Sequence, residues 1–265
     1  MDLSLHVLGN AGSFDEVAPA FVQAAQDAGH RAAIVPPLSP REGVNLYFLG
    51  HGGFLRDPSF CFAPGSVNVL YNFEQSLPSG YDRFDLILTI FPHLCEGSII
   101  PCLLGHSPLF NRAAGADDAE TIDVLHLGPL REGRKGEIGA ELGPLVSAPT
   151  YYGAERDALI LRSRINLIVQ PWPDYHLPVL RFLLLAGKRK FVLCDRHASY
   201  AGIDPACLTL PEGSLGAAVA HWLAAPAAQR QDIADAAHHR LKQAPSYAAL
   251  VHDALARVAR RLGES

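Results

Sequence analysis

The chain has 265 residues and a formal net charge of -5, and 18% of its residues are charged. This length can bury a substantial core and suits one large domain or two small ones. The acidic balance gives no electrostatic reason to expect a nucleic-acid partner. His93, Glu96 and prolines interrupt the longest apolar stretch, so none reaches the roughly 20 residues that a membrane span requires. We therefore expect a soluble globular protein.

The amino terminus and the cysteines favour a cytoplasmic location. Asp2 stands where a signal peptide requires a basic residue, and the first residues have the pattern of a strand. The five cysteines are odd in number and lack the CxxC spacing of metal or redox sites. We expect reduced thiols in or near the core.

Short apolar runs separated by polar turns predict six strands in the first half of the chain. They cover residues 3–9, 31–37, 45–50, 67–73, 84–90 and 99–105. An apolar stripe from Phe14 to Ala25 predicts an amphipathic helix over 14–29. The small and acidic segment 111–121 is the best linker candidate. With a boundary near Gly115, the predicted domains are 1–114 and 115–265.

The second half alternates helix and buried strand. Strands are predicted at 121–128, 165–170 and 190–195, and helices at 155–164, 176–187, 226–243 and 246–262. The run 165–170 is apolar without a clear period, as expected for a strand covered on both faces. This order builds a parallel sheet whose strand ends open onto a ligand crevice. The predicted fold class is therefore α/β, with two similar halves.

A basic turn follows the strand 121–128. Gly128 and Arg131 begin it, and Arg134 and Lys135 follow in the next predicted helix. Turns of this kind expose amide donors and the positive end of a helix dipole, worth about 0.3–1 kcal/mol to an anion, and arginine adds charge-assisted hydrogen bonds. A diphosphate suits this turn, and a solvated basic helix is the alternative interpretation.

The break at 171–175 places further polar residues at a helix entry. Asp174 can cap that helix, and Tyr175 and His176 can contact a sugar or base at the crevice. Arg181 interrupts an otherwise apolar helix, where a charge is rarely buried without a partner. Arg181 is thus either a ligand contact or a buried structural charge.

Polar loops also follow strands of the first half. Glycines let a ligand approach the backbone closely, histidines titrate near pH 6.5, and carboxylates can act as bases. The candidate general bases are His51 and Glu74, and the candidate substrate contacts of this half are Asn10, Ser13, Gly52 and Gly53. Either base also has a structural interpretation, as a partner of loop backbone or a helix cap.

Two classes of enzyme are disfavoured by spacing. His238 and His239 are neighbours on a predicted helix and point in different directions, without a third ligand spaced to join either, so a zinc site is not expected. A serine hydrolase would need a GxSxG elbow, which the chain lacks.

The segments 152–167 and 178–195, YGAERDALILRSRINL and PVLRFLLLAGKRKFVLCD, resemble the nucleotide-binding half of GT-B glycosyltransferases, in particular the spore-maturation-type glycosyltransferase-like proteins. The resemblance extends upstream, in the same order, to 67–75, 84–89 and 121–138. It implies two Rossmann-like domains that face a cleft, with the final helix packing at their junction. It also implies a carboxylate that holds ribose or sugar, for which Asp174 and Asp195 are the candidates because the helix around Arg181 has no glutamate.

The function that the resemblance implies is transfer of a sugar from a nucleotide-sugar donor to an acceptor hydroxyl. The second domain would bind the donor and the first would present the acceptor. No cofactor and no metal are expected, since GT-B enzymes usually stabilise the leaving diphosphate with helix dipoles and basic side chains. A catalytically inactive relative that binds a nucleotide or glycan is the alternative, and a nucleotide-sugar epimerase is a third option.

Overall fold

The structure is a computed structural model that describes residues 1–8, 14–37, 39, 41–49, 61–111, 119–128, 140, 142, 146–148, 153–169, 176–196, 200 and 202–263. Its strands are β1 Asp2–Leu8, β2 Arg31–Val35, β3 Val44–Leu49, β4 Val67–Asn72, β5 Leu86–Thr89, β6 Ile99–Pro101, β7 Ile122–Leu127, β8 Val146–Ala148, β9 Ser163–Ile168 and β10 Val192–Cys194. Its helices are α1 Val17–Asp27, α2 Gly153–Leu161, α3 Val179–Gly187, α4 Leu215–Ala224, α5 Ala227–Gln243 and α6 Tyr247–Arg261.

The chain forms two compact units, and both are α/β. The first comprises Met1–Leu109 with Pro245–Ser265, and the second comprises Phe110–Ala244. The sheets have the orders β2-β1-β3-β4-β5-β6 and β10-β9-β7-β8, and all of their strand pairs are parallel. The six strands predicted in the first half are confirmed. The α/β class with parallel sheets is confirmed as well.

The first sheet is buried at its centre. Every residue of β3 is buried, which explains why that strand is apolar without alternation. Aromatic side chains fill the space between the sheet and α1: the ring of Phe48 lies 5.5 Å from that of Phe21 and 5.1 Å from that of Tyr71. These contacts hold the central strands of the first sheet against α1.

The last helix belongs to the first unit. Its buried face, which includes Tyr247, Val251 and Leu255, packs against α1. The Tyr247 backbone N–H donates to the His106 carbonyl at 2.9 Å, and Ser246 caps the helix through a bond from the Ala249 N–H. The second domain expected at 115–265 therefore differs from the second unit. The apolar face of α6 therefore packs against α1, a helix near the start of the chain.

Gly105→Ala should destabilise the protein because Gly105 lies directly against the segment that leads into α6. A Cβ at Gly105 would lie 2.5 Å from the Pro245 carbonyl oxygen and 2.9 Å from the Tyr247 nitrogen, and backbone yields less readily than a side chain. We expect a loss of at least about 1 kcal/mol in the free energy of unfolding. Urea denaturation measures it, with Gly65→Ala as the comparison: a Cβ at Gly65 meets nothing within 4 Å, but Gly65 has a positive φ, which Gly105 does not. Gly65→Ala therefore reports backbone strain without a clash and Gly105→Ala a clash without that strain, and a loss near zero for Gly105→Ala would contradict the prediction.

The second unit has a core between its sheet and α4. Val124 of β7, Leu167 of β9 and Leu193 of β10 pack with Leu215 and Val219 of α4. The sequence predicted neither α4 nor β8. The helix predicted at 155–164 ends at Leu161, and β9 already begins at Ser163. No helix of the described residues is long and apolar enough to cross a membrane.

Candidate functional site

The topology fixes where each sheet can hold a ligand. In the second sheet the chain passes from β7 to β8 on one side, and from β9 to β10 on the other. Right-handed crossovers then lie on opposite faces, so a crevice opens at the carboxyl ends of β7 and β9. In the first sheet the same change of direction falls between β1 and β3. Several candidate residues from the sequence analysis follow strands that end at these two edges.

Gly128 follows the carboxyl end of β7 and meets Arg181. Gly128 has a φ of 109°, a conformation that side chains other than glycine rarely adopt. A Cβ on Gly128 would lie 3.0 Å from the Arg181 guanidinium carbon and closer still to one of its nitrogens. The positive φ therefore favours glycine here, and the guanidinium occupies the space that a side chain would take. The structure thus brings together two candidates that are distant in sequence.

Arg181 comes from the other side of the crevice. It is the third residue of α3, which begins at Val179 directly after β9 and its loop. The residue as a whole is half-buried, but its guanidinium lies deep enough that burial lowers the pKa of Arg181 to about 10. The group therefore stays positively charged at pH 7. A cation in the first turn of a helix also faces the positive end of the helix dipole, which favours an anion nearby.

The environment of Arg181 differs from that of the other buried cations in this unit. Arg156 and Lys188 lie 2.8 Å and 3.1 Å from the Asp157 carboxylate. Arg230 donates to the Trp222 and Ala225 carbonyls and lies 3.3 Å from Glu120. Within the described residues, by contrast, no carboxylate or carbonyl pairs with Arg181. Because burying a charge without a partner is costly, Arg181 stays a candidate for contact with an anionic ligand.

His126 lies two residues before Gly128 and was not among the sequence candidates. It is completely buried, and its Nδ1 lies 3.0 Å from the Leu167 carbonyl oxygen on the paired strand. Burial and the Arg181 charge lower the pKa of His126 to about 4. The ring is therefore neutral at pH 7. A polar residue within the apolar strand IDVLHL was the available signal.

The remaining second-half candidates are only partly described. His176 is half-buried and lies immediately before the buried Leu177. Arg131, Asp174 and Tyr175 lie outside the described residues. Asp195 follows β10, where its carboxylate accepts a bond from the Arg196 N–H at 2.9 Å.

Glu74 lies just beyond the carboxyl end of β4 in the first unit. The Asn72 side chain closes this turn: it accepts from the Glu74 N–H at 3.1 Å and donates to the Glu74 carbonyl at 2.8 Å. Leu8, Leu49 and Asn72 are register partners across β1, β3 and β4, so these strands end side by side. The other candidates of this unit, Asn10, Ser13, His51, Gly52 and Gly53, lie outside the described residues.

No group of three or more histidine, cysteine, aspartate or glutamate side chains in the described part of the chain is arranged to hold a metal ion. His238 and His239 of α5 have separate partners. Nδ1 of His238 lies 3.2 Å from the Ala186 carbonyl oxygen, and Nε2 of His239 lies 3.0 Å from the Gln243 amide.

Comparisons with known proteins identify the fold. No protein-family model and no curated protein matches the sequence. Among solved structures, AviGT4, a glycosyltransferase involved in avilamycin A biosynthesis, has a TM-score of 0.64 at 14% identity, over 100% of this chain and 99% of that one. A glycosyltransferase from Rickettsia africae has a TM-score of 0.61 at 9% identity, with the same coverage.

Anabaena HepE, solved in complex with UDP and glucose, has a TM-score of 0.61 at 9% identity and is covered completely, as is this chain. These similarities extend over whole chains, so they include both units. Identities of 9–14% show the fold alone. The α/β architecture with parallel sheets is shared with these solved structures, two of which are glycosyltransferases by name.

Proposed function

We propose that this protein is a glycosyltransferase that moves a sugar from a nucleotide-activated donor to an acceptor hydroxyl without a metal ion. The observation that carries the proposal is the Arg181 guanidinium, unpaired among the described residues and seated on Gly128 at the switch point between β7 and β9. This is where parallel α/β sheets bind nucleotides, and guanidinium is the side-chain group best suited to a diphosphate. The second domain would hold the donor and the first would present the acceptor across a cleft.

The proposed reaction assigns a role to each side of that cleft. The acceptor oxygen attacks the anomeric carbon and forms the new glycosidic bond while the bond from that carbon to the diphosphate oxygen breaks. A base of the first domain, His51 or Glu74, takes the hydroxyl proton. Negative charge develops on the leaving nucleoside diphosphate, and Arg181 stabilises it together with the basic turn at Arg131. Asn10, Ser13, Gly52, Gly53, Asp174, Tyr175 and His176 are the proposed further substrate contacts.

Two further observations support this assignment. HepE, which shares the fold, was solved with UDP and glucose, the two parts of an activated sugar. The five cysteines are all free thiols, consistent with the reducing cytoplasm in which nucleotide sugars would be met. Within GT-B, the proposal keeps the spore-maturation-type group, on the strength of the sequence segments that resemble it.

A binding module without turnover is the second candidate function. The observation that favours it is α3, which has no acidic residue in its first turn. A carboxylate there would hold the ribose or sugar hydroxyls of the donor. A module that only binds a nucleotide needs the guanidinium but no base.

Thermal unfolding in the presence of UDP, TDP, GDP and ADP tests the proposal. A nucleotide present at 100 times its Kd should add about 2.7 kcal/mol to the free energy of unfolding. We expect one or more of the four to raise Tm, and we expect the matching sugar nucleotide to release free nucleoside diphosphate during incubation, equally with and without EDTA. Binding without release would favour the binding module, and no shift with any nucleotide would refute both.

A further inference from the structure

His126 has one ring nitrogen whose role the fold does not explain. The Leu167 carbonyl oxygen, 3.0 Å from Nδ1, can only accept a hydrogen bond, so Nδ1 carries the proton of the neutral ring. Nε2 then presents a lone pair. This atom is fully buried and has no hydrogen-bond partner among the described residues. A buried acceptor without a donor is costly, so this atom points to a donor that comes within reach when a ligand binds nearby.

The donor that the structure brings to this place is Arg181. Its guanidinium lies against Gly128, two residues along the same chain segment, and carries five N–H donors. The positive charge of Arg181 also contributes, after burial, to the lowered pKa of the His126 ring. No hydrogen bond joins His126 and Arg181 in the described structure. A small shift of the long arginine side chain, of the kind that binding of an anion causes, would supply one.

The chemical nature of residue 126 determines how much of the positive charge of Arg181 is neutralised. A carboxylate at position 126 would pair with Arg181 and cancel most of its charge. A neutral imidazole accepts a hydrogen bond and leaves the cation uncompensated. Because the low pKa of His126 keeps the ring neutral at pH 7, it does not repel the guanidinium either.

Building on the proposed glycosyltransferase function, we propose that His126 is the positioning residue of Arg181. In the liganded state its Nε2 accepts a guanidinium N–H, which holds the group over Gly128 and directs its full positive charge at the diphosphate of the donor. His126 acts through Arg181 and does not touch the substrate. The class of ligand that this pair selects is a diphosphate ester rather than a neutral sugar.

Two substitutions of His126 distinguish the positioning of Arg181 from a simple packing role. His126→Gln keeps an uncharged acceptor, and His126→Leu has similar volume without one. At pH 7.5 we expect the Leu variant to bind UDP about tenfold more weakly than wild type, and the Gln variant to stay within about threefold. Their melting temperatures check that both remain folded. Equal UDP affinity in all three proteins would overturn the positioning role while leaving the proposed function intact.

A spectroscopic readout tests the proposed hydrogen bond directly and can be made with an anion other than a nucleotide. We expect the ¹⁵N resonance of His126 Nε2 to report a new hydrogen bond when UDP is added to wild type, and no such change in Arg181→Ala. Inorganic pyrophosphate should give the same change. A response to pyrophosphate but not to UDP would refute the nucleotide function and keep the positioning role. An unchanged Nε2 resonance with either bound anion would overturn the positioning role.

Discussion

Arg181→Ala should weaken binding of a nucleoside diphosphate by about 30- to 150-fold in Kd. Loss of charge-assisted hydrogen bonds to a buried anion costs about 2–3 kcal/mol, and each 1.4 kcal/mol is a factor of ten. Stability should change little, because the described structure shows no partner that the substitution would strand. Isothermal calorimetry with the nucleotide that raises Tm, together with thermal unfolding of the free proteins, measures both effects.

Arg164→Ala is the matched control for this experiment. Arg164 lies near the start of β9, at the opposite edge of the same sheet, and forms a 2.8 Å ion pair with the exposed Asp123. Its removal should leave nucleotide affinity unchanged. The opposite pattern for Arg181→Ala, a large fall in Tm with normal nucleotide affinity, would make Arg181 a structural charge and remove the central support of the proposed function.

Much of the fold could be predicted from the sequence because its strands are short apolar runs with clear polar ends. The stretch NLYFLG, for example, is apolar without alternation, and the structure places it at the centre of a parallel sheet as β3. Glycines and prolines between such runs marked most boundaries. The boundary between α2 and β9 was displaced because the polar residues Arg162 and Ser163 fit the end of a helix as well as the start of a strand.

The elements that escaped prediction depend on packing rather than on local pattern. The helix α4 is rich in alanine and carries little amphipathic contrast, so its buried side is defined by the core that Leu215 and Val219 join. The apolar stripe of α6 predicted that the helix packs on something. It did not identify α1, more than 200 residues earlier in the sequence, as the partner.

The described site residues also fall into those that the sequence predicted and one that it did not. Gly128 was a candidate because a glycine follows a strand, and Arg181 because a charge interrupts an apolar helix. Their contact depends on β7 and β9 being neighbours in the sheet, which strand order alone decides. His126 escaped notice because a histidine within a strand is usually a satisfied core residue, and only the structure shows that its Nε2 has no partner in the described part of the chain.

The largest expected effect belongs to the general base of the first domain. Removing it should lower turnover by about 10²–10⁴-fold and leave nucleotide affinity unchanged. The candidates are His51 and Glu74. They follow β3 and β4, whose last residues Leu49 and Asn72 are register partners, so both loops leave from the same edge of the sheet. His51→Ala and Glu74→Gln, assayed with a donor and acceptor that support transfer, identify the base.

Glu42→Gln provides the control for Glu74→Gln, because Glu42 is an exposed carboxylate just before β3, at the opposite edge of the same sheet. Its turnover should equal that of wild type. Of the two candidates His51 is favoured, since histidine titrates nearer to the working pH, and since Glu74 can be explained as a polar residue at a strand end. Turnover within a few-fold of wild type in both variants would show that neither His51 nor Glu74 is the base. Nucleotide binding by a wild-type protein that transfers sugar from no donor to any acceptor would instead favour the binding module, because a guanidinium at the switch point is sufficient to hold a diphosphate but cannot take a proton from an acceptor.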